Sequence, residues 1–197
     1  AAFFSEWSED GAVVVGVLLR ALEIDPNAAW AFRRLTMLLT IERRWDELLE
    51  QYDRVLAATE DPARKIELYT EAAQVAKDLA GRADRAISYL DALAKLRPGD
   101  MQIVASLERL LEREGRFREL VALQRSRLGD LDAGEARALR AQIAACLLDK
   151  LDSPGEALEV SEGLLEDAAT APAILQLLER AFAAKSSPAE VRGRALA

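Results

Sequence analysis

The chain has no histidine and a single cysteine among its 197 residues. Without imidazole there is no Ser-His-Asp triad, no Cys-His pair and no histidine metal ligand. One thiol closes no intrachain disulfide, so the fold depends on none. That suits a reducing compartment and weakly favours the cytoplasm. Basic excess is also lacking: the net charge is -8, against the neutralised phosphates that nucleic-acid binding draws on. The longest apolar run, residues 12–19, stops at Arg20 and is far too short to span a bilayer. Glycine, proline and aromatic residues are sparse, and Val and Ile form no alternating runs with Thr, so strands have little support. The chain opens on Ala-Ala-Phe-Phe without Met or a basic leader, which reads as an excised or processed piece.

What is abundant is Ala, Leu, Glu and Arg, the strong helix formers, and the expected class is all-α. The chain also repeats itself. Residues 26–56 return 72 positions later as residues 98–128, in register at Pro26/Pro98, Leu35/Leu107, Leu38/Leu110, Leu39/Leu111, Glu42/Glu114, Arg44/Arg116, Glu47/Glu119, Leu48/Leu120 and Leu56/Leu128. Trp45 and Phe117 match as aromatics. A fixed period of this kind decides the fold.

Helical periodicity and breaks divide the chain into one array of about five hairpins with partial outer ones, at residues 1–25, 26–60, 61–98, 99–132, 133–167 and 171–197. In the first, Asp10-Gly11 is expected to break two short helices, the earlier carrying Phe3, Phe4 and Trp7 on one face. These aromatics offer a route to self-association. Asp46 is placed to cap the helix that follows the Arg43-Arg44 turn, and Pro62 to sit in a first helical turn. Gly81 and Gly115 suit left-handed positions at hairpin turns. Ser153 to Glu156 has the pattern of a capping box, and Ser187 to Glu190 repeats it. Equivalent second-helix positions Leu48, Ala86, Leu120 and Ala157 are 38, 34 and 37 residues apart. The 72-residue period is therefore a doublet of one short and one long hairpin, the extra turn lying in the longer first helix.

This pattern resembles the tetratricopeptide repeat (TPR). Phe32 and Val104 hold the large residue early in the first helix, Leu35 and Leu107 follow, and Gly81 and Gly115 stand at turns. Trp45 and Phe117 take the aromatic place after the turn, and Ala86 and Ala157 the small residue where the helices cross. Asp25-Pro26, Asp61-Pro62 and Pro98 punctuate the units, with Pro172 doing so more loosely. Leu48 and Leu120 depart from the small residue, Arg43 from the turn glycine and Gln124 from an aromatic. The resemblance implies a right-handed α-α superhelix whose groove is lined by first helices.

Chemistry offers little beside that surface. Cys146 lies in an Ala/Leu-rich helical stretch and reads as a structural thiol. Residues 130–134 lack a calcium ligand set, with Ala141 where a bidentate Glu belongs. Glu60/Asp61 and Glu166/Asp167 read as helix-start charges. No cofactor is expected, and the chain is read as no enzyme. In the TPR register, the groove-facing side chains are Trp30, Arg33, Met37, Gln74, Lys77, Arg109 and Arg113. They would suit an acidic and apolar peptide or protein ligand, unless Trp30 and Met37 pack against adjoining first helices. The paired-Asn clamp that TPR domains use on chaperone C-termini has no counterpart, since Asn27 is the only Asn. The leading reading is a protein-interaction scaffold within a larger bacterial protein. A regulatory or assembly module fused to an enzyme or envelope machine is the alternative, and helical-repeat RNA binding is disfavoured by charge.

Overall fold

The structure, a computed structural model, describes residues 2–161 together with Leu164, Gln176, Glu179 and Arg180, with side chains from residue 11 onward. Among the described residues every regular element is helical. In order these are α1 (Ala2–Ile24), α2 (Ala29–Ile41), α3 (Trp45–Ala58), α4 (Pro62–Gln74), a π-helical segment (Val75–Leu79), α5 (Ala83–Leu96), α6 (Met101–Arg113), α7 (Phe117–Arg127), α8 (Ala133–Asp149) and α9 (Pro154–Ser161). They pack as two compact units, Ala1–Leu110 and Leu111–Ala197.

The first unit is built from neighbours in sequence: α1 packs on α2, α2 on α3, α3 on α4, and α4 on α5. Leu35, Leu39, Leu48, Leu49 and Leu68 are at most 1% exposed, and the Phe32 ring meets Tyr52 edge-on at 5.1 Å. The second unit closes around Val121, Leu139, Ile143, Ala144, Leu147 and Ala157, with α8 packed on both α7 and α9. The repeated leucines are core in both copies, including Leu35 with Leu107 and Leu39 with Leu111. Their recurrence is a packing requirement, since no single hairpin buries its own apolar stripe.

The hairpin turns carry the repeat most plainly. Arg43 (φ 55°), Gly81 (φ 63°), Gly115 (φ 69°) and Asp152 (φ 46°) each adopt the left-handed conformation. Glycine does so without steric cost, and the two non-glycines hold it at equivalent register. The backbone N–H after each turn then closes onto the first helix. Arg44 and Arg116 donate five residues back, to Leu39 and Leu111, both at 2.9 Å. Arg82 and Ser153 donate six residues back, to Ala76 at 2.8 Å and Leu147 at 2.9 Å. The narrow closure follows the 13-residue helices α2 and α6, and the wide one follows the longer first helices. The expected short-long doublet is therefore visible in the turns. At Gly81 the widening is the π-helical segment, which periodicity did not indicate.

Several local expectations are corrected. In place of a hairpin over residues 1–25, α1 is one continuous helix through Asp10 and Gly11. A helical glycine costs only about 1 kcal/mol, which packing outweighs. A Cβ at Gly11 would stand 3.2 Å from the Glu42 carboxylate, so the glycine also admits the end of α2. Asp46 does not cap α3, whose N-cap is Arg44 without a side-chain bond; its carboxylate accepts from Arg82 instead. The Ser153–Glu156 capping box does not form. Arg118 of α7 donates to Ser153 Oγ at 3.0 Å and to Glu156 at 2.5 Å, drawing both side chains sideways. Asp61, by contrast, caps α4 as a helix-start carboxylate, accepting from the N–H groups of Ala63 and Arg64 with Pro62 in the first turn. The elements expected beyond residue 164, and the Ser187–Glu190 box, lie outside the described residues.

Candidate functional site

α2 is apolar on two faces. Phe32, Leu35, Leu38 and Leu39 point inward and are buried. The opposite stripe, at spacings of three and four, is Trp30, Arg33, Arg34, Met37 and Ile41, all exposed. A helix with one packed face normally turns polar residues outward. Here Trp30 is 67% exposed, Ile41 61% and Met37 45%. The reading in which Trp30 and Met37 are core is thereby excluded. Trp30, Arg33, Arg34 and Met37 line one open depression of about 400 Å³.

Charge distinguishes this stripe further. Half of the first unit's cations are in ion pairs, among them Arg44 with Glu42 and Glu47, Arg64 with Glu67, Arg82 with Asp46, Arg85 with Asp53, and Lys95 with Asp91. Arg33 and Arg34 pair with no described residue, although the chain as a whole is acidic. Two guanidiniums without a described ion-pair partner, beside an exposed indole and a thioether, form an amphipathic contact surface.

The other expected positions are all exposed, and none of them lines that depression. Gln74 ends α4, and Lys77 lies in the π-helical segment 3.5 Å from Asp78. Arg109 folds back on its own helix, its Nε donating to the Ala105 carbonyl at 3.1 Å and its guanidinium to Ser106 at 3.4 Å. Arg113 is held by Glu114 at 3.0 Å. Arg34 and Ile41 were missed by sequence reasoning, although each stands four residues after a chosen one, the spacing that shares a helix face. The side chains of Phe3, Phe4 and Trp7 are outside the described set; beyond them α1 exposes Val13, Val17 and Ile24.

A polar tie joins α3 to α5 within the same unit. Arg82 grips Asp46 with two bonds of 2.8 and 2.6 Å. Arg85 pairs with Asp53 and donates to Tyr89 Oη at 2.6 Å, while Tyr89 donates to Asp53 at 2.7 Å. Burial pushes the Tyr89 hydroxyl up to about 12, with Asp53 adding to the shift and Arg85 opposing it. This network is structural, since its groups satisfy one another.

Cys146 is half-buried against the second unit's core, and burial raises its thiol pKa, the reverse of an activated nucleophile. Among the described residues no group of three or more Cys, Asp or Glu side chains could hold a metal ion. Among the same residues no helix is long and apolar enough to cross a membrane.

No protein-family profile and no curated protein matches this chain. Among solved structures it is similar to YrrB, a TPR protein with an unusual peptide-binding site, at 16% identity and a TM-score of 0.40, covering 90% of this chain and 88% of that one. It is also similar to BtubC (BKLC) from P. vanneervenii, at 17% identity and a TM-score of 0.37, covering 95% of this chain and 85% of that one. Both likenesses are remote, and the all-α hairpin architecture rests on this chain's own helices and turns.

Proposed function

We propose that this chain is a non-catalytic protein-interaction scaffold that receives a peptide or protein segment on the outward face of α2. The observation that carries the reading is Trp30, two-thirds exposed on a helix whose other face is already fully packed. Trp30 and Met37 supply apolar anchors, and Trp and Arg are the side chains that dominate binding energy at interfaces. Arg33 and Arg34 favour a ligand with carboxylates. Gln74, Lys77 and Arg109 of the same unit are further contact positions in this reading, each exposed.

A panel of immobilised 15-residue peptides, varied in charge and apolar content, tests this at low and at physiological salt. Acidic peptides carrying large apolar residues are expected to bind. Trp30→Ala should weaken them at least about thirtyfold, as an interface anchor does. Arg33→Glu/Arg34→Glu should weaken them more than Arg109→Glu/Arg113→Glu, whose arginines are already engaged. Binding that survives Trp30→Ala unchanged, or a panel that yields no binder, would sink the assignment.

A further inference from the structure

Tyr89 shows how the junction between α3 and α5 is filled. It is 4% exposed, and its hydroxyl lies 2.7 Å from Asp53 and 3.3 Å from the Leu49 carbonyl, both on the preceding second helix. Counting from the crossing residues Leu48 and Ala86, the counterpart of Tyr89 one hairpin earlier is Gln51. Gln51 too is 4% exposed, yet its side-chain amide is hydrogen-bonded to none of the described residues. It borders a cleft of about 200 Å³ between α1 and α3, lined by Leu19, Leu22, Glu23, Pro26, Arg54 and Val55 besides Gln51 itself.

Three features of this cleft go together. Its floor is aliphatic. Its volume is below the range of small-molecule pockets and suits one large side chain. Its one polar group inside, the Gln51 amide, keeps its small exposure at the cleft and offers one donor side and one acceptor, the complement of a peptide unit. One repeat further on, the same seat is taken by an aromatic ring of the chain itself. At the mouth, Glu23 and Arg54 pair with no described residue.

We propose that the α1–α3 cleft is a second docking seat, which takes one aromatic or large aliphatic side chain from a partner polypeptide. The side chain lies among Leu19, Leu22 and Val55, and the adjoining main-chain amide of the partner bonds to the Gln51 side chain. None of the residues lining the Trp30 depression lines this cleft, so the seat stands independently of the function proposed above.

N-acetyl-phenylalanine amide, N-acetyl-leucine amide and N-acetyl-glycine amide are the probes, titrated into the isotope-labelled full chain and followed by two-dimensional NMR. The phenylalanine and leucine probes should shift the Gln51 side-chain amide and the backbone signals of Leu19, Leu22 and Val55, saturating in the low millimolar range expected of so small a ligand. The glycine probe should not. Gln51→Tyr, which places in this seat the residue that fills the next one, should weaken binding at least about tenfold without lowering the melting temperature. Gln51→Leu should weaken it less, and Trp30→Ala should leave it unchanged. Shifts that do not saturate, or that persist undiminished in Gln51→Tyr, would overturn the proposal. Should both Gln51 variants lose their helical circular dichroism, the wild-type shift map decides alone, and perturbations centred away from Gln51 overturn it.

Discussion

Asp46 and Arg82 lie 36 residues apart, yet each carboxylate oxygen of Asp46 accepts one bond from the Arg82 guanidinium. The contact ties the first turn of α3 to the residue preceding α5. Bidentate geometry makes it a directional link between successive hairpins, although both groups are open to solvent. Arg82 holds the Asp46 carboxyl below the usual aspartate range. The stabilisation is therefore present above about pH 4, where the unfolded group is already ionised, and is lost as pH falls through the lowered folded value. Asp46→Asn should lower the melting temperature slightly at pH 7 and low salt. A double-mutant cycle with Arg82→Gln should show coupling that vanishes in 1 M salt and at low pH.

Arg43 occupies a left-handed turn that Gly81 and Gly115 occupy elsewhere. The conformation costs a non-glycine residue about 1–2 kcal/mol, while glycine adds up to about 1 kcal/mol of unfolded-state entropy. Arg43→Gly should therefore stabilise the chain by about 0.5–1 kcal/mol in urea melts. Gly81→Ala should do the opposite, by about 1 kcal/mol, although open space surrounds the missing Cβ. A neutral Gly81→Ala would show that the turn is not held left-handed.

Gln124 stands 72 residues after Tyr52, where the repeat has an aromatic, and its Oε1 is buried without a hydrogen-bond partner. Leaving a buried acceptor unsatisfied costs about 1–3 kcal/mol. Gln124→Met keeps the length and removes the polar atoms, and should raise stability by about 1 kcal/mol. Unchanged or lowered chemical stability would mean that water reaches the site.

Tyr89 makes the reverse case. Its hydroxyl bonds Asp53 and accepts from Arg85, so Tyr89→Phe should destabilise by about 1–2 kcal/mol at neutral pH. Because the folded hydroxyl titrates near 12, above the ordinary value near 10, the folded state keeps its proton longer. That contribution is whole below pH 10 and fades as pH rises towards 12. Wild-type stability should fall more steeply than that of Tyr89→Phe across this window, read by denaturant melts at fixed ionic strength.

The repeat was legible because burial is periodic: the leucines at Leu35, Leu39 and Leu48 recur 72 residues on as Leu107, Leu111 and Leu120, and all six are buried. The turns at Gly81 and Gly115 were legible from residue type, while Asp152 is visible only by register. What failed were local end signals. Asp46, Ser153 and Glu156 fit capping patterns, but Arg82 and Arg118 claim their oxygens from a neighbouring hairpin, and a local pattern does not contain that competitor. Asp10-Gly11 failed for a related reason, since packing against α2 carries the helix through a weak spot. At the candidate site, spacing put Trp30 and Met37 on one face without saying whether that face was covered. Only the packed position of α2 answers that.

The two turn closures, five residues back and six, carry a last consequence. Each compact unit contains one of each kind, at Arg44 and Arg82 in the first and at Arg116 and Ser153 in the second. A single duplicated hairpin would set two like closures side by side, and a geometry shaped for a wide neighbour would meet a narrow one. The smallest segment that can be copied with every junction kept is the pair, so a chain of this kind lengthens in steps of two hairpins. A shortened or extended variant that respects that parity should fold more readily than one that breaks it.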